Sequence, residues 1–289
     1  MVLHQRRGRI TCHHCGSDRP RPTNCANCQT ELRPVGQGTE RVEEALTREF
    51  PDYPLERIDR DTTRRRGEIE RRLERVRSTE ARLLLGTQML TKGHDFPGVT
   101  LVGIVDADQG LFGTDFRSAE RLAQTFIQVA GRAGRAERPG EVWLQTLFPD
   151  HPLLRVLVSQ GYGAFAELAL EERRQVGWPP WSALALLRAE ATQRETVFEF
   201  LEAAASVARS VAAEVVEAAD PSTPALRVLG PAAAPMERRS GKYRGQLLLQ
   251  TDLRRDLQRC LPALRAAISE LPAQRRVRWS LDVDPAELF

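Results

Sequence analysis

Long apolar runs, lysine and excess charge are all scarce in this chain of 289 residues. No apolar run approaches the roughly twenty residues that span a bilayer, and the N-terminal residues lack the apolar core of a signal peptide. We therefore expect a cytoplasmic protein with no membrane partner. The formal net charge is only +3, so bulk charge does not indicate a nucleic-acid partner. Lys92 and Lys242 are the only lysines, a bias that we attribute to genomic base composition rather than to function.

A phosphate-binding loop is also missing. The pattern G-x-x-x-x-G-K-S/T occurs nowhere, and the single Gly-Lys pair, Gly241-Lys242, is followed by Tyr243. Without this loop nothing in the chain cradles the α- and β-phosphates of a nucleotide, and no Asp-Glu pair follows a buried strand to hold magnesium. The chain alone is therefore predicted not to hydrolyse ATP at a significant rate.

Four of the five cysteines form two C-x-x-C pairs near the N-terminus, Cys12/Cys15 and Cys25/Cys28. In a cytosolic protein this spacing favours a metal over disulfides, and each pair can supply two thiolates to a tetrahedral zinc ion. These four cysteines are predicted zinc ligands, and a redox pair or free thiols is the alternative. Cys260 lies in a helical pattern and is predicted to be a small core residue.

Short apolar runs alternate with helical patterns between residues 35 and 150. This alternation indicates an α/β fold with a parallel sheet covered on both faces, in which functional motifs belong at the carboxyl ends of the strands. Thr62 or Thr63 is expected to cap the second helix. The predicted strands are 55–58, 81–86, 99–105 and 141–147, and the predicted helices are 39–50, one ending near 77, and 117–130.

The pattern changes after residue 150. Residues 151–176 look helical and end in a stiff apolar elbow, Gly177-Trp178-Pro179-Pro180-Trp181, which is typical of a domain junction. The rest has the order β-α-β-β-α-β, which predicts a small split-βαβ sandwich. Its predicted strands are 183–189, 226–229, 245–250 and 277–283, and its predicted helices are 195–216 and 253–271.

Two arginines lie three positions apart in the segment Gln128-Val129-Ala130-Gly131-Arg132-Ala133-Gly134-Arg135. Three positions are close to one helical turn, so both guanidiniums can face the same side, and the glycines let a bulky anion approach the backbone. Forked, permanently charged donors suit a triphosphate. The pattern Q-x-x-G-R-x-G-R has the form of an arginine finger in nucleic-acid helicases; an arginine-rich helix end facing water is the alternative.

A second motif, residues 86–97, follows the predicted strand 81–86. A threonine hydroxyl and backbone amides at a strand end can hold a nucleic-acid phosphate, and the glycine and carboxylate further along can respond to a nucleotide bound nearby. By itself this motif is only moderately specific for a helicase. It becomes a very specific indication because the arginine motif follows it with one predicted strand between them.

With both motifs in place the chain resembles a known family. Residues 86–97 are similar to helicase motif V of superfamily two, and residues 128–135 are similar to motif VI. Four further segments, 36–40, 57–63, 115–121 and 279–285, resemble the PriA family of replication-restart helicases, and the resemblance covers essentially the whole chain. It implies a partial zinc-binding segment at 1–34, the second RecA-like helicase lobe at 35–150, a helical connector at 151–181 and a C-terminal α+β domain at 182–289.

The resemblance also implies residue roles. Arg132 and Arg135 would stabilise charge developing on the γ-phosphate, and Gln128 would sense the nucleotide. Gly93 and Asp95 would couple DNA binding to the ATP site. DNA contacts are implied for Thr87, Gln88 and Lys92, and for Lys242 and Arg244 in a predicted Gly-Lys-Tyr-Arg-Gly turn.

The implied activity is ATP-dependent 3′-to-5′ DNA unwinding at stalled forks, followed by primosome assembly. ATP with magnesium would require the first RecA-like lobe, which this sequence lacks. Family members carry four C-x-x-C pairs for two zinc ions, so the two pairs here either share one zinc or bind none. Implied partners are branched or single-stranded DNA, single-strand-binding protein and other primosome proteins, in nucleoid-associated cytoplasm. The alternatives are a non-catalytic module that binds forks and primosome proteins, and a fragment with no independent role.

Overall fold

The described part of the chain falls into two compact units in the computed structural model. The first unit comprises the described residues up to Thr114 together with 118–166, and the second comprises 115–117 and 167–288. None of the described helices is long and apolar enough to cross a bilayer. The structure describes residues 2–4, 9–11, 18–25, 28–32, 38–59, 62–63, 67–78, 81–87, 90, 96, 98–131, 140–214 and 226–288.

The first unit begins with a small antiparallel sheet and continues with α/β structure. The small sheet has the order β1-β2-β3, formed by Val2–His4, Arg9–Thr11 and Asp18–Pro20. The later strands are β4 (Leu55–Ile58), β5 (Leu83–Gly86), β6 (Leu101–Ile104) and β7 (Glu141–Leu144), and the helices are α1 (Thr39–Glu49), α2 (Glu68–Arg77), α3 (Asp108–Leu111), α4 (Ser118–Ala130) and α5 (Pro152–Gln175), which continues into the second unit. The predicted strands and helices of this region are confirmed, most with slightly different ends.

The strands of the first unit pair in parallel, as the alternation predicts. β4 pairs with β5 and β6 pairs with β7, and the described residues form these two pairs rather than one continuous sheet. One small apolar cluster packs around Ile58, Leu73 and Phe96, and another around Ala107, Leu122 and Leu154. Helix α5 is interrupted at Gly161, whose φ of +83° is readily adopted only by glycine.

The second unit has the predicted β-α-β-β-α-β order. Its elements are β8 (Ala183–Ala191), α6 (Arg194–Ala212), β9 (Arg227–Arg239), β10 (Lys242–Thr251), α7 (Arg254–Glu270), a 3-10 helix (Pro272–Arg276) and β11 (Arg278–Val283). The sheet has the order β11-β8-β10-β9 and every pair is antiparallel. This is the split-βαβ sandwich expected from the sequence.

Alternation along β8 explains how the sheet of the second unit packs. Ala185, Leu187 and Ala189 face α6 and α7 and join an apolar core that includes Phe200 and Leu264, both fully buried. Cys260 is fully buried in the same core, as predicted. The alternate residues of β8 point to the opposite face of the sheet, because successive side chains of a strand alternate.

Candidate functional site

Gln128 is the one residue of the predicted nucleotide-sensing set that the structure describes. It is exposed on the last turn of α4, which ends at Ala130 and is followed by Gly131. The arginine motif therefore begins where a helix ends, as its sequence suggested. Arg132 and Arg135 lie outside the described residues, so their role stays a prediction.

Thr87 directly follows β5 and its side chain is exposed. The preceding Gly86 cannot carry a side chain without a shift, because a Cβ there would lie 2.6 Å from the Ile58 carbonyl oxygen and 2.3 Å from Leu90 Cδ1. The glycine thus lets β5 pass close to β4 where Thr87 leaves the strand. Gln88, Lys92, Gly93 and Asp95 lie outside the described residues, and their DNA-binding and coupling roles remain predictions.

Asp59 forms a polar cluster at the carboxyl end of β4 that the sequence did not single out. Its side chain is buried and accepts hydrogen bonds from the Thr39 hydroxyl at 2.7 Å and the Thr62 amide at 2.9 Å. The Asp59 amide in turn donates to the Thr62 hydroxyl at 2.9 Å. The Arg57 guanidinium lies 3.2 Å from the carboxylate. A carboxylate just after a buried strand, with threonine three positions on, is the signal that could have revealed it.

The charge of Asp59 is stabilised despite its burial. Burial alone would raise the pKa of this carboxyl, but hydrogen bonds from Thr39 and Thr62 and the nearby Arg57 guanidinium outweigh it and lower the pKa below its ordinary value. Because Ile58 pairs with Gly86, Asp59 and Thr87 leave neighbouring parallel strands at the same edge. This is the edge where ligand contacts are expected in α/β sheets.

The expected helix cap at Thr62 or Thr63 is wrong. Helix α2 begins only at Glu68, after Gly67 with a φ of +78°. Thr63 donates its hydroxyl to the Asp59 carbonyl at 2.6 Å, and Thr62 is engaged with the Asp59 carboxylate and amide. Asp59 therefore binds both threonines that were expected to cap the helix, Thr62 through its carboxylate and amide and Thr63 through its backbone carbonyl.

Cys25 and Cys28, the second predicted pair of zinc ligands, are the two that the structure describes. The Cys25 amide donates to the Thr30 carbonyl and the Gln29 amide donates to the Cys25 carbonyl, both at 2.9 Å, which closes a tight turn around Cys28. Hydrogen bonding between Cys28 and Thr30, first with the Thr30 side chain and then with its backbone, lowers the pKa of Cys28 to about 7, toward the thiolate form that zinc binds. Among the described residues no group of three metal-binding side chains is present. Cys12 and Cys15 lie outside them, so zinc stays a prediction.

Lys242 and Arg244 lie in a strand, which corrects the expected turn. The hairpin turn is Ser240-Gly241, with φ values of +50° and +80°, a pattern typical of tight hairpins. Lys242 is the first residue of β10. Leu247 and Leu249 of the same strand join the helix-facing core, so the even-numbered Lys242 and Arg244 lie on the face of the sheet opposite α6 and α7.

This opposite face carries a basic platform, which we define as Arg188, Lys242, Arg244 and Arg278. Arg244 pairs across the strands with Glu190, and Glu190 with Arg278. The next row aligns Gln246, Arg188 and Ser280. Pairing partners on neighbouring strands share a face, so these side chains form two adjacent rows.

Two acidic side chains partly neutralise the basic platform. Glu190 Oε1 lies 3.0 Å from Lys242 Nζ and 3.8 Å from an Arg278 nitrogen, and Asp282 lies 2.8 Å from Arg188. Among the described residues Arg244 makes no ion pair. The platform therefore keeps net positive charge, centred on Arg244. The sequence showed the individual charges, but the cross-strand register was needed to place Arg188, Glu190 and Arg278 beside them.

Two family models match the chain. Residues 35–137 match the helicase conserved C-terminal domain, and residues 174–286 match the primosomal protein N C-terminal domain. The first covers the motifs on β4, β5 and α4, and the second covers the sandwich that bears the basic platform. Both matches agree with the order of the two compact units along the chain.

Curated relatives match nearly the whole chain. The replication restart protein PriA of Haemophilus influenzae is 45% identical over 288 residues, 99% of this chain and 38% of that protein. PriA of Bacillus subtilis is 37% identical over 286 residues, 99% of this chain and 34% of that protein. PriA of Synechocystis is 41% identical over 242 residues, 83% of this chain and 28% of that protein. The chain spans less than half the length of these relatives. It therefore corresponds, over nearly its whole length, to the C-terminal portion of the replication restart proteins of the PriA family.

Proposed function

We propose that this chain forms the second motor lobe and the C-terminal domain of an ATP-dependent DNA helicase that acts in replication restart. The observation that carries the proposal is the joint ending of β4 and β5, which puts the Asp59 cluster beside Thr87 at one sheet edge. In such a motor, Thr87, Gln88 and Lys92 hold the DNA strand. Gly93 and Asp95 couple this grip to ATP, with Gln128, Arg132 and Arg135 at the nucleotide.

The nucleotide itself is held elsewhere in this proposal. No phosphate-binding loop occurs in the sequence, so ATP with magnesium binds a first lobe, and the arginines of this chain act on the γ-phosphate from the other side of the cleft. Cys12, Cys15, Cys25 and Cys28 share one zinc ion. Unwinding proceeds 3′ to 5′ on branched or single-stranded DNA, with single-strand-binding protein and primosome proteins as partners on the nucleoid.

An ATPase assay tests the motor half of the proposal. The purified chain is expected to be inactive alone, because nothing in it cradles the α- and β-phosphates. Addition of a first-lobe polypeptide from a PriA relative is expected to produce DNA-stimulated turnover that Arg132→Ala abolishes. Turnover by the chain alone, or turnover that survives Arg132→Ala, would contradict this assignment.

A second candidate function, binding of fork DNA without catalysis, is favoured by the basic platform. Among the described residues Arg244 makes no ion pair, and the two rows around it carry three arginines, one amide and one hydroxyl beside the carboxylate of Glu190. The arginine guanidiniums on this face suit the phosphates of the DNA backbone, and phosphate contacts give affinity without sequence preference. This function requires no ATP and is compatible with the first proposal.

DNA binding without ATP is measured by fluorescence anisotropy with a forked oligonucleotide. Arg244→Ala is expected to weaken binding roughly three- to tenfold and to reduce the salt dependence by about one counterion. Arg276→Ala is the matched control, because Arg276 pairs with Glu199 of α6 on the helical side at 2.9 Å. This control is expected to leave binding unchanged.

Glu190→Gln tests the same face through an expected gain in DNA affinity, which loss of folding cannot produce. Removal of this carboxylate releases Lys242 and Arg278 from their ion pairs, so DNA affinity is expected to rise about two- to fivefold. Unchanged or weaker binding by Glu190→Gln, together with normal binding by Arg244→Ala, would show that DNA does not use this face.

A further inference from the structure

Hydrogen bonds of Asp108 fasten the start of α3 to the end of β7 within the first unit. One carboxylate oxygen accepts from the Thr146 hydroxyl, and the other accepts from the Leu147 amide at 2.9 Å. The Thr146 hydroxyl oxygen in turn accepts from the Phe148 amide at 2.9 Å. Asp108 is the first residue of α3, so a single carboxylate joins this helix to the chain that leaves β7.

Backbone contacts reinforce the same junction. The Ala107 amide donates to the Gln145 carbonyl at 3.0 Å, and the Gln145 amide donates to the Ile104 carbonyl at 2.9 Å. Asp106 has a φ of +57°, in the left-handed region that aspartate adopts more readily than most residues. Its amide donates to the Gln145 side chain at 3.3 Å. The ends of both strands therefore fix where α3 begins.

Helix α4 packs closely on α3 and on the residues that follow α3, because two glycines leave room for it. A Cβ at Gly110 would lie 2.9 Å from Leu122 Cβ, and a Cβ at Gly113 would lie 2.6 Å from Ser118 Cβ. Both distances are shorter than real Cβ atoms show, so neither glycine can carry a side chain unless α4 moves. We call Asp108, Gly110 and Gly113 the α4 seat.

An apolar cluster holds the inner side of α4 against the same elements. Leu122 of α4 is buried and packs with Ala107, which is also buried. The residues around them include the last residue of β6, a residue of α3 and the last residue of β7, namely Ile104, Leu111 and Leu144. The position of α4 is therefore set by α3 and by the ends of both strands, all within the first unit.

We propose that Asp108 is a positioning residue for the end of α4 that carries Gln128. Its carboxylate holds α3 to the end of β7, and α3 with its glycines determines where α4 packs. Packed side chains, hydrogen bonds and a rigid helix are the means by which such a constraint reaches a distant residue. The role of Gln128 and of the arginine motif after Gly131 rests on the proposed function, whereas the α4 seat is a property of the free chain.

Amide hydrogen exchange of the full chain tests the α4 seat without an activity assay. Asp108→Ala leaves the Leu147 amide and the Thr146 hydroxyl without their acceptor, so exchange of residues 118–130 is expected to rise roughly tenfold. Asp108→Asn keeps an acceptor oxygen and is expected to stay close to the wild type. Asp150→Ala, which removes an exposed carboxylate between β7 and α5, is the matched control and leaves α4 unchanged.

Equal exchange of residues 118–130 in Asp108→Ala and in the wild type overturns the proposal. Thr146→Val removes the hydroxyl at nearly constant volume and decides the question in the same way if the alanine variant does not fold. Leu73→Val, a truncation in the apolar cluster around Ile58 of the same unit, measures the effect of general loss of stability. A rise in Leu73→Val as large as in Asp108→Ala also overturns the proposal.

A compensating pair of substitutions tests how α4 packs on the seat. Gly113→Ala brings its new Cβ against Ser118, so exchange of residues 118–130 is expected to rise. Addition of Ser118→Gly removes the two atoms that this Cβ meets first, Ser118 Oγ and Cβ, and is expected to return exchange close to the wild-type rate. General destabilisation makes the double variant exchange faster than the single one, and that result overturns the proposal.

Catalysis separates this inference from the proposed function. With a first-lobe polypeptide that binds ATP, Asp108→Ala is expected to lower kcat for DNA-stimulated turnover by roughly ten- to a hundredfold, because misplacement by about 1 Å has effects of this size. KM for ATP is expected to stay unchanged, and Asp108→Asn is expected to restore most of kcat. A wild-type kcat in Asp108→Ala overturns the proposal. Absence of turnover by the wild-type pair contradicts the proposed function, and hydrogen exchange of the free chain then still decides the α4 seat.

Discussion

The two compact units differ in how completely each one buries its own sheet. The second unit covers one face of a four-stranded antiparallel sheet with two helices around one large core, and a smaller apolar cluster forms around Leu184, Leu186 and Leu288. In the first unit the parallel strands form separate pairs with small apolar clusters. Trp143 on β7 is 65% exposed and Leu101 on β6 is 53% exposed. Parallel strands are normally covered on both faces, so the described residues leave the pair of β6 and β7 less completely covered than the sheet of the second unit.

The difference also separates two ways of presenting functional residues. The first unit places Asp59 and Thr87 at strand ends, where backbone geometry and loops decide their positions. The second unit places Arg188, Arg244 and Arg278 within strands, where the cross-strand register fixes them. We therefore expect changes in the core of the second unit to affect stability most, and changes at strand ends of the first unit to affect local geometry.

The largest effect is expected from Phe200→Ala in the core of the second unit. Phe200 is fully buried and packs near Trp279, with ring centroids 6.3 Å apart. Truncation should lower the free energy of unfolding by about 3–5 kcal/mol, as measured by urea denaturation. Phe50→Ala in the first unit, where the side chain is 45% exposed, is the control and should cost less than about 1 kcal/mol. Similar losses in both variants would remove the contrast between the units.

A smaller loss is expected from Gly86→Ala in the first unit. The added Cβ would meet the Ile58 carbonyl oxygen at 2.6 Å, so the pairing of β4 and β5 must shift, at a cost of roughly 1–3 kcal/mol. Gly103→Ala on β6 is the matched control, since a Cβ there meets nothing within 4 Å. Urea denaturation gives the free energy of unfolding of each variant, and amide hydrogen exchange of residues 55–58 shows whether the pairing of β4 and β5 has weakened. Both effects are expected in Gly86→Ala and neither in Gly103→Ala. No difference between the variants would mean that the close approach of β5 to β4 is not constrained.

The next effect concerns pH and the Asp59 cluster. The pKa of Asp59 is lowered in the folded protein, so its ionised carboxylate stabilises the first unit above the unfolded pKa of about 4. This contribution is lost as pH falls through the lower folded pKa. Asp59→Asn should lower the free energy of unfolding by about 1 kcal/mol at neutral pH and flatten its decline as pH falls below the unfolded pKa of about 4. An unchanged acid profile in Asp59→Asn would show that other carboxylates determine it.

The smallest effect on the stability of the two units is expected from substitution of the cysteines. Cys25→Ser should lower bound zinc from about one per chain to near zero, since a structural zinc site needs four ligands, while the unfolding of the second unit stays unchanged. Metal content is measured after dialysis against zinc-buffered solution. Cys260→Ala is the control, because Cys260 is buried in the core of the second unit and should leave zinc content unaffected. Zinc loss in Cys260→Ala, or retention in Cys25→Ser, would contradict the predicted site.

Local patterns of the sequence predicted most helices and strands, and the reason is visible in particular elements. The run at 55–58 is a strand with the predicted ends, and the β-α-β-β-α-β order of the second unit follows from apolar alternation that its core then buries. Predictions failed where a residue forms a hydrogen bond that local pattern does not reveal, or where the extent of a strand decides its conformation. Thr62 binds the buried Asp59 carboxylate instead of capping α2, and Lys242 belongs to a strand because β10 extends to the hairpin turn.

The sequence by itself determined the class of each element, the family to which the chain corresponds and the order of its motifs, because these depend on residue type and spacing along the chain. Only the tertiary structure decided which side chains meet. It joined Glu190 to Lys242 and Arg278 through strand register, and it placed Asp115 against the Leu288 amide. Such contacts connect residues far apart in the chain, and they form only when the sheet and its core fix where those residues lie.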